Sequence, residues 1–98
     1  MNNPNQKLCC EFRVLAKMHE LESKGEKAWF SKLVKLLDGI VSKRDISRSQ
    51  DRMYGCGMID MKWINVNGIW TCCWFIEDEI ESFAKEIYEN NKSGEQEK

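Results

Sequence analysis

Residues 61–76 read M-K-W-I-N-V-N-G-I-W-T-C-C-W-F-I, two β-prone runs joined by Asn67-Gly68. That pair suits a two-residue type I′ turn, whose two central positions both need positive φ. The spacing predicts a hairpin of strands 61–66 and 69–76 that sets Val66 opposite Ile69, Asn65 opposite Trp70, Trp63 opposite Cys72 and Met61 opposite Trp74. Met58-Ile59 lead into the first strand, so Ile59, Met61, Trp63, Trp70, Cys72, Trp74 and Ile76 share one face, expected to be the inner one. The tryptophans on it are expected to pack in the core rather than to stack on nucleic-acid bases. The opposite face carries Lys62, Ile64, Val66, Ile69, Thr71, Cys73 and Phe75, apolar enough to predict partial cover.

Immediately before the hairpin, Gly55-Cys56-Gly57 is a stop, and Ser42 with Asp45 three positions on is a helix start. A helix over residues 43–54 follows. At 100° per residue, Ile46, Ser49 and Met53 turn inward, while Lys43, Arg44, Ser47, Arg48, Asp51 and Arg52 spread over the outer side. That exposed side is basic and hydroxyl-bearing. Upstream, Trp29, Phe30, Leu33, Val34, Leu36 and Leu37 give a short helix over 28–37, ended by Asp38-Gly39. Further upstream, residues 6–23 form a helix with two apolar stripes, Leu8, Phe12, Leu15 and His19, and Val14, Met18 and Leu21. Two stripes exceed what one small core needs, so one faces either the chain's own domain or a second subunit. After the hairpin, Glu77-Asp78-Glu79 opens a helix carrying Ile80, Phe83, Ala84, Ile87 and Tyr88 at i, i+3, i+4, i+7 and i+8. Residues 1–5 are expected to be a flexible leader, 6–89 one domain, and 90–98 a disordered polar tail.

The order helix, helix, tight turn, basic helix, hairpin, helix is that of a helix-turn-helix followed by a wing. Residues 41–60, V-S-K-R-D-I-S-R-S-Q-D-R-M-Y-G-C-G-M-I-D, resemble the recognition-helix segment of winged helix-turn-helix transcriptional regulators, small prokaryotic and archaeal ones loosely akin to the MarR and ArsR groups. The matching steps are Ser42-Lys43, Ile46-Ser47-Arg48, Asp51-Arg52-Met53 and Gly57-Met58-Ile59, and the K-W-I-N-V-N-G-I-W run resembles the wing. Departures are Gln50, where an apolar residue is usual, and Gly55 and Cys56, where the helix normally continues. The wing tip offers Asn65, Asn67 and Lys62 in place of an arginine for the minor groove. The resemblance implies a mainly α fold with a β-hairpin wing, α-α-α-β-β-α, and sequence-specific binding of double-stranded DNA. The residues it marks as DNA contacts are Lys43, Arg44, Ser47, Arg48, Arg52, Lys62 and Asn67. With so few cations per subunit, binding is expected from a homodimer joined through the first and last helices. A winged helix that binds protein instead of DNA is the alternative, favoured by the tryptophan-rich strands and an acidic pI of about 5.9.

Composition bounds these readings. At 98 residues with 42% apolar and 32% charged residues, the chain holds one small domain and no large substrate cavity. Residues 1–76 hold 12 Lys/Arg against 8 Asp/Glu, whereas residues 77–98 hold 3 against 8, so a basic body ends in an acidic segment. Five cysteines, two pairs of them adjacent, and no signal-like apolar run at the amino terminus speak against a secreted disulfide framework and for a reducing cytoplasmic setting. No apolar stretch reaches the roughly 18–20 residues that a membrane helix needs. No C-x-x-C pair exists, and strand neighbours such as Cys72 and Cys73 point apart, so neither metal nor other cofactor is expected. His19 continues an apolar stripe, and no nucleophile stands beside a recognisable base, so the chain is not expected to be an enzyme.

Overall fold

The computed structural model describes the backbone of residues 9–96 and the side chains of residues 9–90. The expected leader and part of the first helix, residues 6–8, lie outside the described residues. Helix α1 (Cys10–Ser23) is followed by strand β1 (Ala28–Trp29), helix α2 (Phe30–Leu36), helix α3 (Lys43–Gly55), strands β2 (Ile59–Val66) and β3 (Ile69–Ile76), and helix α4 (Glu81–Gln96), which enters through a 3₁₀ turn over Asp78–Ile80.

The hairpin forms in the expected register, from Val66 opposite Ile69 to Ile59 opposite Ile76. Asn67 and Gly68 both take positive φ, 53° and 87°, and the Gly68 N–H donates to Asn65 Oδ1 at 2.8 Å. The turn chemistry therefore sets the register, as the type I′ geometry requires.

Three expectations change. The helix placed over residues 28–37 starts only at Phe30, because Ala28 and Trp29 instead pair antiparallel with Trp74 and Cys73 on the outer edge of β3. The sheet thus has three strands in the order β1-β3-β2, and β1 satisfies part of an edge that a bare hairpin would leave open. The last helix continues through Gln96, where a disordered tail over residues 90–98 was expected. The third change is the most consequential. The helix-facing side of the hairpin is buried only at its base: Ile59 and Ile76 lie in the core, but Trp63 and Trp70 are 62% and 64% exposed. Core packing was expected for both tryptophans; the helical layer ends before it reaches them.

Val14, Leu15, Met18 and Leu21 of α1, Leu33 of α2, Ile46 and Met53 of α3, Ile59 of β2 and Ala84 and Ile87 of α4 form one continuous core. The α1 stripe that carries Phe12 and His19 meets α4: Phe12 and Phe83 pack edge to face at 5.4 Å, and the His19 ring lies 5.4 Å from Tyr88. Of the two covers weighed for that stripe, the chain supplies its own. His19 is thereby a helix–helix contact.

Candidate nucleic-acid interface

Helix α3 starts as its sequence dictates. Ser42, in extended conformation, accepts a hydrogen bond from the Asp45 N–H at 3.1 Å, and Asp45 puts a negative charge in the first turn. Its inner face is Ile46, Ser49, Gln50 and Met53, all buried, which fixes the roll of the helix about its axis. Lys43, Arg44, Ser47 and Arg48 are exposed on the remainder of the surface. Among the described residues, none of Lys43, Arg44 and Arg48 forms an ion pair. Arg44, Arg48 and Asp51 lie farthest from the buried face by helical rotation.

The two flanks of α3 differ. Arg52 Nε donates to Glu11 of α1, and this bond holds the Glu11 carboxyl below its ordinary range. Tyr54, about 200° round the helix from Arg52, turns toward the hairpin, where its ring meets Trp74 edge to face at 6.0 Å. Arg52 is therefore held to its own domain, whereas Lys43, Arg44, Ser47 and Arg48 leave their polar groups toward solvent.

The hairpin residues expected at the same interface divide between its faces. Lys62 lies on the side away from α3, with its Nζ 5.3 Å from the Phe75 ring centroid. That contact is cation–π attraction and accounts for some cover of the outer apolar face. Asn67 is exposed at the turn. The structure thus brings Lys43, Arg44, Ser47 and Arg48 together on one rod, sets Asn67 at the hairpin tip, ties Arg52 to α1 and turns Lys62 away.

Sequence reasoning missed two features. Gln50 is buried with Nε2 unpartnered, as is Ser49 Oγ beside it. The departure at Gln50 was visible in the sequence; its missing partner was not. The exposed indoles of Trp63 and Trp70 carried no local signal, since alternation assigns a face and not the extent of its cover. Of the cysteines, Cys73 is buried, Cys72 Sγ lies 3.4 Å from Met61 Sδ, and Cys9 and Cys56 are exposed.

Four helices packed on a three-stranded sheet, with a capped helix set before the hairpin and another closing the domain, define the architecture. The chain has a winged-helix fold. Solved structures similar to this winged helix include F-93 of SSV1, at TM-score 0.74 and 14% identity over 96% of this chain and 98% of that one. The circadian clock associated protein Pex from Anabaena aligns at TM-score 0.68 and 14% identity, over 94% of this chain and 84% of its own. A single-residue mutant of ZitR from Lactococcus lactis also aligns at TM-score 0.68 and 14% identity, over 99% of this chain and 63% of its own. At such identities the likeness establishes the winged-helix fold alone. No protein-family model and no curated protein sequence matches the chain.

Proposed function

We propose that this winged helix is a transcriptional regulator of the small prokaryotic type that reads double-stranded DNA, with α3 in the major groove. The observation that carries the reading is the outer side of α3, where Arg44 and Arg48 stand outermost with Asp51, and Ser47 is exposed on the flank, on a helix whose back is buried in the core. An α-helix fits the major groove, and an arginine can donate two hydrogen bonds to a guanine edge. Arg44 and Arg48 are the residues of that reach, Ser47 contacts a base or phosphate, and Lys43 at the helix start meets a phosphate. Arg52 reaches a phosphate only by giving up Glu11, and Lys62 only by leaving Phe75. The reading has no catalytic step and needs no cofactor.

A single subunit brings few cations to the duplex. A homodimer doubles them and reads a pseudo-palindrome with half-sites roughly 34 Å apart. Its contact surface in this proposal is α1 with α4, where Phe83 keeps 39% of its surface exposed although Phe12 packs on it. The chain has no described helix long and apolar enough to cross a membrane, and its thiols suit the reducing cytoplasm in which such a regulator works.

Selection of bound sequences from a random duplex pool at two salt concentrations tests the proposal. The expected result is an enriched pseudo-palindrome, lost in the Arg44→Ala/Arg48→Ala variant. Lys43→Ala is expected to weaken binding across sequences and to reduce the slope of log K against log salt by about 0.9 per subunit. A wild-type protein that enriches no sequence and shows no salt-sensitive binding refutes it.

A further inference from the structure

The wing carries an apolar surface that the fold itself does not use. Ile59, Met61, Trp63 and Asn65 of β2 share a face with Trp70, Cys72, Trp74 and Ile76 of β3, and this is the face turned toward α3. Burial falls along it from base to tip: Ile59 and Ile76 are in the core, Trp74 is half-buried against Tyr54, and Trp63 and Trp70 are mostly exposed. In register, Trp63 faces Cys72 and Trp70 faces Asn65, so the indoles are diagonal neighbours one step apart on the two strands. They stand nearer the tip of the wing than Trp74, on the same face as its contact with Tyr54.

We infer that Trp63 and Trp70 form an aromatic wedge that presses on, or between, base steps of the duplex beside the groove occupied by α3. This rests on the DNA reading of α3 and goes beyond it, since it assigns the wing an apolar mode of contact in place of an arginine. Charge does not oppose a nucleic acid. From Met61 through Ile76 there is no carboxylate, and the indoles are flanked by the neutral amides of Asn65 and Asn67. Size excludes a second copy of the chain seated on this patch alone. The two indoles at roughly two-thirds exposure, with Met61 at 37%, offer about 400 Å², about half of the roughly 800 Å² per partner of a stable interface. As an extension of a cationic helix, the same area is sufficient: apolar side chains inserted at base steps kink duplexes, and aromatic side chains stack on any base.

The test uses the full chain with a fluorescein-labelled mixed-sequence 30-base-pair duplex at low salt, and compares wild type, Trp63→Ala/Trp70→Ala, Trp63→Phe/Trp70→Phe and Arg44→Ala/Arg48→Ala. The wedge predicts that duplex quenches the tryptophan emission of the wild type. It also predicts that the double alanine variant binds at least tenfold more weakly with little quenching, and that the phenylalanine variant recovers most of the affinity. Both tryptophans are exposed, so melting temperatures serve as the control for folding. Equal affinity of the double alanine variant, with the arginine variant impaired, overturns the wedge and leaves the α3 reading intact. A wild type that does not bind duplex overturns both. A sedimentation coefficient that falls in the double alanine variant without DNA overturns the wedge by assigning the patch to self-association.

Discussion

Replacing Gln50 with methionine should stabilise the protein. Gln50 is 1% exposed, and its Nε2 has no hydrogen-bond partner, so folding takes a two-proton donor out of water without replacing its bonds. Such a group costs about 1–3 kcal/mol when left unmet. Methionine has nearly the same length, shape and number of rotatable bonds, so rotamer entropy cancels to first order and the core around Ile46 and Met53 needs no rearrangement. The expected gain is therefore about 1–2 kcal/mol. For a domain of this size, 1 kcal/mol moves Tm by about 4–8 °C, so the variant should melt roughly 5–15 °C higher by circular dichroism. A urea titration should show the midpoint rising with the slope unchanged, the signature of altered stability and not of an altered denatured state. DNA affinity should not change, because Gln50 faces away from Arg44 and Arg48. A lower Tm would refute the reasoning, since it would mean that the amide is bonded in solution, most simply to a buried water shared with Ser49 Oγ. Ser49→Ala then discriminates: it stabilises if the hydroxyl is unmet and destabilises if it holds that water.

Two further substitutions test local geometry, and one titration tests a half-buried carboxyl. Gly68→Ala should destabilise by about 1–2 kcal/mol, because φ there is 87° and no neighbouring atom lies within 4 Å of an added Cβ, so the cost is backbone strain alone. Gly55→Ala, in open space at the end of α3 with no positive φ, should be neutral or raise stability by about 0.5 kcal/mol; thermal melts check both. Burial pushes the Glu22 carboxyl above its ordinary 4.5, against the opposing hydrogen bond from the Ile76 N–H, and Glu81 adds to the rise. A carboxyl raised in the folded state favours folding below its ordinary value and loses that contribution as pH rises through the raised one. Glu22→Gln should accordingly remove a decline in Tm over the pH range just above 4.5, and an unchanged difference between variant and wild type across that range would contradict the assignment.

The hairpin was legible in the sequence because two adjacent residues carried the whole constraint: Asn67 and Gly68 demand positive φ, and a two-residue turn leaves only one register. Ser42 did the same for the start of α3. Strand β1 was invisible for the opposite reason. Two residues are too short for any period, and Ala28-Trp29 become a strand only because the edge of β3 passes beside them. The outward side of α3 followed from the buried positions Ile46 and Met53, since one buried face fixes all the others in a helix. Arg52 could not be assigned that way: its partner Glu11 stands 41 residues earlier, and their meeting depends on how α1 crosses α3. The indoles illustrate the limit most clearly. Strand alternation gave the correct face, but eight residues of strand extend for about 27 Å, and only the packed helices decide how much of that length they cover.

What aims α3 is the combination of its three held sides. Ile46, Ser49, Gln50 and Met53 fix the inner face, the Glu11–Arg52 pair fixes the flank toward α1, and the Tyr54–Trp74 contact fixes the flank toward the wing. Both flanking contacts fall in the last turn of the helix, so its carboxyl end is clamped, while the first two turns, with Lys43, Arg44, Ser47 and Arg48, carry the free polar groups. A rod held by its far end and buried along its back can roll little, and the angle between the two arginines and the wing is thereby set before any partner arrives. In a helix that reads a groove, such a clamp contributes to specificity without touching a base. Glu11→Gln keeps the side-chain shape but removes its charge. It should weaken discrimination between a selected sequence and a scrambled duplex more than it weakens overall affinity, because it frees a cation, Arg52, while loosening the aim. Competition binding with the two duplexes measures that ratio, and an increase in discrimination would show that the clamp does not act on the orientation of α3.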